Sequence, residues 1–382
     1  MIVVLLLLFV ATCHHVCDAL SATPSRRDFL ETSIISSTIA VASSPAVATT
    51  TSSSSSPLTL PPLGLGAWAW GDSLFWGYDP RKDDELKEVF DYAVSKNAFF
   101  DTAEAYGLGR SEELLGKFRN AAPKEEGDKV MIASKFAAYP WRTKRGDVVK
   151  ACAASVKRLG QPLDLYQIHF PNAWANEEYW EGLGDAFDQG LVKAVRVSNY
   201  GIDAMHACHA KLASRGINLY SNQIQMSLLY RWPLENGLLD ACKELDVKVL
   251  SYSPLALGFL TGKYRKDSLP SGPRSKIGTR LYEDPEAYKN LLAVMKDIAG
   301  KYDAAPSQVA VNWARAKGTI PIPGARTINQ AKQNLAALEW TMTKADEMRL
   351  DEASVMVTGF VTPDASPFPP KDINTGLKMF DS

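Results

Sequence analysis

The chain has 382 residues, with 42 basic and 43 acidic side chains and a hydrophobic fraction of 46%. This length is sufficient for one large domain or two ordinary ones, each with a sizeable core. A formal net charge of -1 argues against a nucleic-acid-binding protein, and 22% charged with 10% aromatic residues excludes a broadly disordered chain.

Residues 1–19 have the pattern of a signal peptide. Residues 2–11 are apolar, which is too short a run for a membrane-spanning helix, since such a helix needs about 20 apolar residues. Cys17, Asp18 and Ala19 offer a small-residue cleavage site, although the usual basic segment before the apolar core is missing. A membrane anchor is the alternative, and the shortness of the run argues against it.

Residues 20–56 are predicted to be a second targeting segment. Arg26 and Arg27 precede a mildly apolar stretch over residues 34–47, as in twin-arginine export signals, and residues 49–56 are all Thr or Ser. Two signals in series resemble the bipartite presequence of a plastid protein and predict the stroma or the thylakoid lumen. One signal peptide followed by a flexible linker is the open alternative, and it predicts the secretory pathway.

Residues 57–382 are predicted to form one domain with a C-terminal tail, in which an apolar run, a loop and an amphipathic stretch recur. The predicted strands cover residues 63–65, 98–100, 130–133, 163–168, 192–197, 219–224, 247–250 and 319–322. The predicted helices cover residues 84–96, 111–118, 146–159, 177–189, 203–214, 236–245, 306–316 and 329–338.

This alternation predicts an α/β fold. Strands that are apolar throughout indicate a parallel sheet covered on both faces, and eight βα units indicate a single-domain (β/α)8 TIM barrel. The extra length is assigned to residues 258–285 and to the tail. A doubly wound open sheet is the rival fold, but Gly64 and Gly66 are not part of the GxGxxG fingerprint that such a sheet typically carries.

Three successive predicted strands end in residues that suit catalysis. Asp101 and Tyr106 follow the second strand, Lys135 the third and His169 the fourth. In a barrel the C-terminal strand ends meet at one face, where active sites lie. Each residue alone is weak support, because a charged residue at a strand end is more often a solvated rim group.

Together these side chains suit protonation of a carbonyl oxygen while another group delivers a hydride. Tyrosine has a reference pKa of about 10, which is too high for efficient proton transfer near neutrality. A neighbouring ammonium lowers such a pKa, so Lys135 is expected to lower the pKa of Tyr106. Asp101 would hold the Lys135 ammonium, and His169 would form a hydrogen bond with the substrate oxygen.

Dispersed motifs carry a resemblance to the aldo-keto reductase superfamily, in the expected order over residues 63–350. Within it the chain is most similar to plant and algal plastid-type reductases, which are related to pyridoxal reductases and to potassium-channel β subunits. The motifs are Asp-Thr-Ala-x-x-Tyr-Gly at 101–107, Ser-Glu-Glu-Leu-Leu-Gly at 111–116, Lys135, His169, Val-Ser-Asn at 197–199, Asn-Gln at 222–223, Tyr-Ser-Pro-Leu at 252–255, Gly-Lys-Tyr at 262–264, and Ile-Pro-Gly-Ala-Arg at 322–326 with Gln330 and Asn334.

The resemblance implies an NADPH-dependent aldehyde or ketone reductase with a catalytic tetrad of Asp101, Tyr106, Lys135 and His169, in which Tyr106 is the general acid. It implies that the nicotinamide is held by Ser198, Asn199, Gln223 and Tyr252. Ser253, Leu255, Gly258 and Lys263 would follow the pyrophosphate, and Arg326, Gln330 and Asn334 would surround the adenosine. Trp68 and Gly324 are also assigned to the cofactor site.

Arg326 favours NADPH over NADH in this interpretation. The aldose-reductase branch has a lysine against the 2′-phosphate where this chain has Gly324, so Arg326 is the expected substitute. A guanidinium binds phosphate bidentately and stacks on adenine.

Aromatic residues on the predicted strand-end loops predict a pocket for a planar or apolar carbonyl compound, with Trp70 and Trp141 as substrate-binding residues. Sealing of the barrel rim is the open alternative for each of them. No metal site, no nucleic-acid partner and no membrane anchor in the mature protein are expected, and the oligomeric state stays undetermined.

The alternative function is a redox-sensing regulatory subunit that binds the nucleotide with low turnover, as the channel β subunits do. Those proteins carry Asn at the position of His169. The complete tetrad therefore favours an enzyme.

Overall fold

The computed structural model describes residues 58–73, 75–172, 174–271, 274–283 and 285–358. The predicted targeting segments, residues 1–19 and 20–56, lie outside these ranges, as does the end of the C-terminal tail. None of the helices within the described ranges combines the length and apolar character that a bilayer span requires.

Eight parallel strands follow one another in chain order around a barrel. They are β1 (Gly64–Gly66), β2 (Phe99–Asp101), β3 (Ile132–Phe136), β4 (Leu163–Ile168), β5 (Val192–Ser198), β6 (Leu219–Gln225), β7 (Lys248–Tyr252) and β8 (Ile320–Ile322). The Gly66 N–H donates a 3.0 Å hydrogen bond to the Pro323 carbonyl, which joins β1 to the residues after β8. The predicted (β/α)8 barrel is confirmed.

Helices connect the strands on the outside of the barrel. They are α1 (Asp83–Ser95), α2 (Arg110–Ala121), α3 (Lys124–Gly127), α4 (Arg145–Leu159), α5 (Asn176–Asp188), α6 (Ile202–Ala213), α7 (Trp232–Glu235), α8 (Leu238–Glu244), α9 (Arg274–Leu281), α10 (Pro285–Lys301), α11 (Pro306–Ala316), α12 (Ile328–Ala336) and α13 (Lys344–Val355). The predicted helix at 236–245 begins later, because Gly237 takes a left-handed φ of 82° between α7 and α8.

Two further helices, α10 and α13, extend the predicted pattern. Leu291, Met295 and Ile298 of α10 are fully buried at helical spacing, so α10 is a packed element of the fold. The Lys301 ammonium at its end contacts Asp346 of α13 at 2.6 Å. The two helices pack against each other and against α11.

The interior of the barrel contains buried polar side chains, although the predicted strands were apolar throughout. Asp101, Lys135, Gln167, Arg196 and Gln223 are all buried on β2 to β6. Buried charges require partners, since an isolated charge in a low-dielectric interior is strongly unfavourable. Lys135, Arg196 and Gln223 all donate to the Asp101 carboxylate and form one network beside the candidate active site, whereas the Gln167 amide has no hydrogen-bond partner among the described residues.

Candidate active site

The four predicted tetrad residues converge at the C-terminal face of the barrel. The Lys135 ammonium donates to the Asp101 carboxylate in a buried ion pair. Its Nζ lies 4.9 Å from the centre of the Tyr106 ring, and the centres of the Tyr106 and His169 rings are 5.7 Å apart. Strands hold Asp101 and Lys135, while Tyr106 and His169 stand on the segments that follow β2 and β4.

Lys135 has a lowered pKa because it is completely buried. Burial lowers the pKa of its ammonium to about 8, with Asp101 opposing this effect and Arg196 adding to it. Its Nζ also donates a 2.8 Å hydrogen bond to the Thr102 carbonyl. The ammonium is therefore held in one position by oxygen atoms of two consecutive residues.

The pKa of Tyr106 is raised, so the prediction that Lys135 lowers it is wrong. Burial and the negative charge of Asp101 raise the pKa, and Arg196 opposes them. The Lys135 ammonium lies over the face of the Tyr106 ring and is engaged by Asp101 and Thr102. Tyr106 is consequently a protonated phenol at neutral pH.

His169 is a neutral imidazole at physiological pH. Burial and the neighbouring Lys135 charge lower the pKa of His169 to about 3. Its backbone N–H donates to the Phe136 carbonyl at 3.0 Å, which continues the pairing of β4 with β3. A neutral imidazole can donate one hydrogen bond to a substrate oxygen without adding charge to the site.

Asp101 is shared by three donors, one of which the sequence analysis missed. Besides Lys135, the Arg196 Nη2 donates to its Oδ2 at 2.6 Å and the Gln223 Nε2 at 2.7 Å. Burial alone would raise the pKa of Asp101, but Lys135 and Arg196 hold it below its usual value. The signal for Arg196 was a second basic residue, besides Lys193, in the run at 192–197.

The predicted nicotinamide residues lie together beside the tetrad. The Ser198 hydroxyl donates to the Gln223 carbonyl at 2.9 Å, and the Asn199 amide donates to the His169 carbonyl at 3.0 Å. The Tyr252 hydroxyl in turn donates to the Asn199 side-chain carbonyl at 2.9 Å. Gln223 thus touches both this group and Asp101, and a change at one set of residues is transmitted to the other.

The loop after β7 contains several residues in left-handed conformations, and the Ala256 and Gly258 N–H groups donate to the Ser253 and Leu255 carbonyls within it. Ser253, Leu257 and Gly258 take left-handed φ values of 53°, 56° and 96°. Successive residues that include left-handed conformations turn their N–H groups towards one point and bind anions. The Lys263 ammonium lies 3.8 Å from the position that a Cβ on Gly258 would occupy, so a cation stands over the same loop. Both features fit the pyrophosphate of a dinucleotide.

Two guanidinium groups lie over the ring of one tryptophan at the predicted adenosine end of the cofactor site. Arg326 and Arg274 lie 5.5 Å and 4.7 Å from the centre of the Trp76 ring. Burial and then the charge of Arg274 lower the pKa of Arg326, which shows that the two cations are close. Two such groups attract a phosphate. Arg274 was missed in the sequence analysis, where its only signal was the local density of basic residues.

The other predicted adenosine residues lie on α12, with Gln330 in its first turn and Asn334 in its last. The Gln330 side chain accepts a 2.8 Å hydrogen bond from the Arg326 backbone N–H. The Asn334 amide donates to the Gly324 carbonyl at 3.1 Å. A cleft of about 200 Å³ opens next to them, lined in part by Arg326, Thr327 and Gln330.

The predicted aromatic mouth is only partly formed by the expected residues. Trp68 stacks on Phe75 at 4.9 Å and its ring centre lies 6.1 Å from that of Tyr106, so it faces the tetrad. Trp141 is 73% exposed and stacks on Tyr139 at 4.9 Å.

Trp70 does not belong to this mouth, and its predicted role in substrate binding is corrected. Its exposed fraction is 1%, and its indole packs against Phe100 and Phe118 in the core. The indole N–H donates to the Ala325 carbonyl at 2.8 Å. Trp70 therefore ties the segment after β1 to the segment after β8.

The barrel and its site define an oxidoreductase built on a (β/α)8 scaffold. Residues 62–355 match the Aldo/keto reductase family, and the chain belongs to this family. It is 41% identical over 314 residues to the chloroplastic pyridoxal reductase of Arabidopsis thaliana. The matched region covers 78% of this chain and 84% of that protein.

Two more distant matches agree with this membership. The chain is 28% identical over 314 residues to the aldo-keto reductase yakc [NADP(+)] of Schizosaccharomyces pombe, with 77% of this chain and 88% of that protein covered. The fold is that of a glycerol dehydrogenase from Gluconobacter oxydans, with a TM-score of 0.69, 24% identity, and 79% of this chain and 94% of that chain covered.

Proposed function

We propose that the protein is an NADPH-dependent reductase of aldehydes or ketones with Tyr106 as the general acid. The observation that carries this proposal is the convergence of a protonated Tyr106, a neutral His169 and a buried Lys135–Asp101 pair at one end of the barrel. Bound NADPH would supply the hydride. The side chains supply the proton and the position of the carbonyl oxygen.

The residues have distinct roles in this reaction. Tyr106 gives its hydroxyl proton to the carbonyl oxygen, and its raised pKa means that the phenol is protonated when the substrate binds. His169 donates a hydrogen bond to the same oxygen from its neutral ring. Lys135 and Asp101 surround Tyr106 with fixed charges, which favours the transition state because the groups need no rearrangement.

The cofactor proposal rests on the residues at both ends of the dinucleotide site. Ser198, Asn199 and Gln223 offer polar groups to the nicotinamide carboxamide, and Tyr252 offers a ring face. Arg326 and Arg274 flank Trp76 and would meet the 2′-phosphate that distinguishes NADPH from NADH. Similarity to a relative that carries NADP(+) in its name supports the same choice.

Replacing Arg326 tests the cofactor preference. Arg326→Ala should raise the KM for NADPH at least about tenfold and the KM for NADH far less, since a charged hydrogen bond to phosphate contributes about 1.5–3 kcal/mol. Steady-state kinetics with each nucleotide measure the two values. Equal increases for both nucleotides would contradict the assignment.

The aromatic mouth and the similarity to a pyridoxal reductase support a proposal for the substrate class. Trp68 presents a ring face near Tyr106, and Trp141 presents an exposed ring stacked on Tyr139; such faces suit a planar aromatic aldehyde. Similarity to a pyridoxal reductase makes pyridoxal the first aldehyde to test. We therefore propose pyridoxal or a related aromatic aldehyde as substrate.

Oxidation of NADPH by the purified protein, in the presence of pyridoxal and a panel of other aldehydes and ketones, tests the proposed activity. Tyr106→Phe should lower kcat at least about 100-fold, because it removes the proton donor. Tyr92→Phe, on the outer helix α1, is the matched control and should behave like the wild type. Wild-type turnover by Tyr106→Phe would show that the catalytic assignment is wrong.

We also propose a plastid location, supported by the twin-arginine pattern in residues 20–56 and by similarity to a chloroplastic protein. A fluorescent fusion to the C-terminus of the full chain should accumulate in plastids. Sequencing of the mature N-terminus then separates cleavage near Leu20 from cleavage near Thr49. Fluorescence in the secretory pathway alone would contradict the proposal.

A further inference from the structure

Arg196 places a second buried cation next to the tetrad, and none of the steps above uses it. Its side chain is fully buried on β5, and its Nη2 donates a 2.6 Å hydrogen bond to Asp101 Oδ2. Lys135 donates to the other carboxylate oxygen, Oδ1. Asp101 therefore has one cation on each oxygen.

The register of the sheet sets the distance between the two cations. Lys135 on β3 pairs with Gln167 on β4, and Gln167 pairs with Arg196 on β5. The cations therefore occupy the same level of the barrel, with one neutral residue between them. Groups anchored on neighbouring strands are held more precisely than groups on loops. The charge of Arg196 thus has a fixed position relative to Lys135.

The network around Asp101 has an excess of positive charge. Lys135 and Arg196 share one carboxylate, and Nε and Nη1 of Arg196 have no hydrogen-bond partner among the described residues. The carboxylate of Glu112, which acts on Lys135, is itself paired with Arg158. Four further groups interact electrostatically with these residues. Asp72 raises the pKa of Tyr106, and Tyr106 and Tyr220 oppose the lowering that burial causes in the pKa of Arg196. Burial and then Lys135 lower the pKa of His169.

Arg196 influences both groups that matter for proton transfer. It opposes the rise that burial and Asp101 cause in the pKa of Tyr106. It adds to the lowering that burial causes in the pKa of Lys135. In both cases a nearby positive charge favours loss of a proton.

We propose that Arg196 is a positioning residue of the reduction, which holds Asp101 and supplies the buried positive charge that balances the Tyr106 oxygen once its proton is on the carbonyl oxygen. The Tyr106 O–H bond breaks as the O–H bond of the alcohol forms, so a phenolate remains. Asp101 alone would repel that phenolate, and the positive charge of Arg196 opposes this repulsion. The kinetic part of this inference rests on the proposed function.

Titration of Lys135 tests the electrostatic part without any turnover. In protein labelled with ¹³C at the lysine ε-carbons, the Lys135 signal is identified by its loss in Lys135→Met. We expect it to titrate at a pH of about 8 in the wild type. Arg196→Met removes the charge and should raise this value by about 1–2 pH units, as expected for a lost like charge, whereas Arg196→Lys should leave it nearly unchanged. An unshifted titration in the folded Met variant would overturn the proposal.

Steady-state kinetics with NADPH and pyridoxal test the catalytic part. Arg196→Met should lower kcat about tenfold and leave both KM values unchanged, because Arg196 lies below the site and contacts neither compound. Arg196→Lys should recover most of the lost kcat. Wild-type kcat in Arg196→Met, or equal losses in the Met and Lys variants, would contradict the assigned role.

Thermal unfolding separates these effects from misfolding. Arg196→Gln replaces the Met variant if that variant does not fold, and it carries the same two expectations. If the wild type oxidises no NADPH with any carbonyl compound, the proposed function is wrong. The Lys135 titration then still decides whether Arg196 acts on the tetrad.

Discussion

The backbone and the side chain of His169 contact different parts of the candidate site. Its backbone carbonyl accepts the Asn199 amide and so helps to hold the nicotinamide residues in place. Its side chain lies against Tyr106, where the substrate oxygen is expected. The backbone contribution does not depend on the side chain, so cofactor binding and turnover can be separated at this residue.

We expect His169→Asn to bind NADPH as the wild type does and to lose turnover about 100-fold, the lower end of the range for a group that assists proton transfer. Quenching of tryptophan fluorescence by NADPH measures binding, and steady-state rates measure turnover. Asn199→Ala is the opposite control and should weaken NADPH binding. Loss of binding in His169→Asn would contradict this separation.

Sequence patterns predicted the candidate tetrad because each member lies at or after the end of an apolar run, and the structure brings these four residues together at one face of the barrel. They did not identify the direction of the Tyr106 pKa shift, which depends on burial and on Asp101 and Arg196 around the ring. Trp70 was misassigned for a related reason. The sequence shows that it follows β1, but not that its indole turns into the core.

At the scale of elements, the glycine in the Ser-Glu-Glu-Leu-Leu-Gly motif marks the contact of two helices. Gly116 lies in α2, and a Cβ there would lie 2.5 Å from the Arg158 carbonyl oxygen and 3.0 Å from the Leu159 Cα at the end of α4. Both atoms belong to the backbone and cannot move without shifting a helix. Position 116 therefore requires glycine because α2 and α4 approach each other closely there, and not because of an unusual φ.

Gly116→Ala should destabilise the protein by about 1–3 kcal/mol, the range for overpacking a tight contact. Gly146→Ala is a matched control, because Gly146 is also helical and a Cβ there would meet nothing within 4 Å. The control should be neutral or stabilised by up to about 1 kcal/mol, since Ala favours helix over Gly. Urea unfolding of both variants measures the difference, and equal stabilities would show that α2 and α4 have room to adjust.

Strands were easier to predict than helices in this chain. Each buried strand is a short apolar run, and the eight runs matched the eight strands that the structure contains. Helix α10 escaped prediction because one helix for each strand already accounts for the barrel. Helix α10 buries Leu291, Met295 and Ile298 and packs against α11 and α13, and a count of one helix for each strand does not show the need for this packing.

For the whole molecule, closure of the barrel joins residues that are far apart in the sequence. Gly66 bonds to Pro323 and Trp70 to Ala325, so the segments after β1 and β8 hold each other. Arg326, which follows directly, donates to the Trp76 carbonyl at 2.9 Å. The same seam therefore closes the sheet and positions the candidate adenosine site, which links the stability of the fold to cofactor binding.

The folded unit begins at Thr59, which predicts where the chain can be shortened. Leu60 is buried and its N–H donates to the Tyr220 hydroxyl at 3.2 Å, and Leu63 is completely buried. A chain that starts at Pro57 keeps both leucines, and its stability and NADPH oxidation should equal those of the full chain.

A chain that starts at Gly64 loses both leucines and should be destabilised by about 3–6 kcal/mol, because each buried leucine contributes about 1.5–3 kcal/mol. Thermal and urea unfolding of the full chain and the two shortened chains measure these differences. If the chain from Pro57 does not fold while the full chain does, residues 1–56 belong to the folded domain, and their interpretation as targeting segments is wrong. Equal stability of the two shortened chains would instead show that β1 closes the barrel without the support of Leu60 and Leu63.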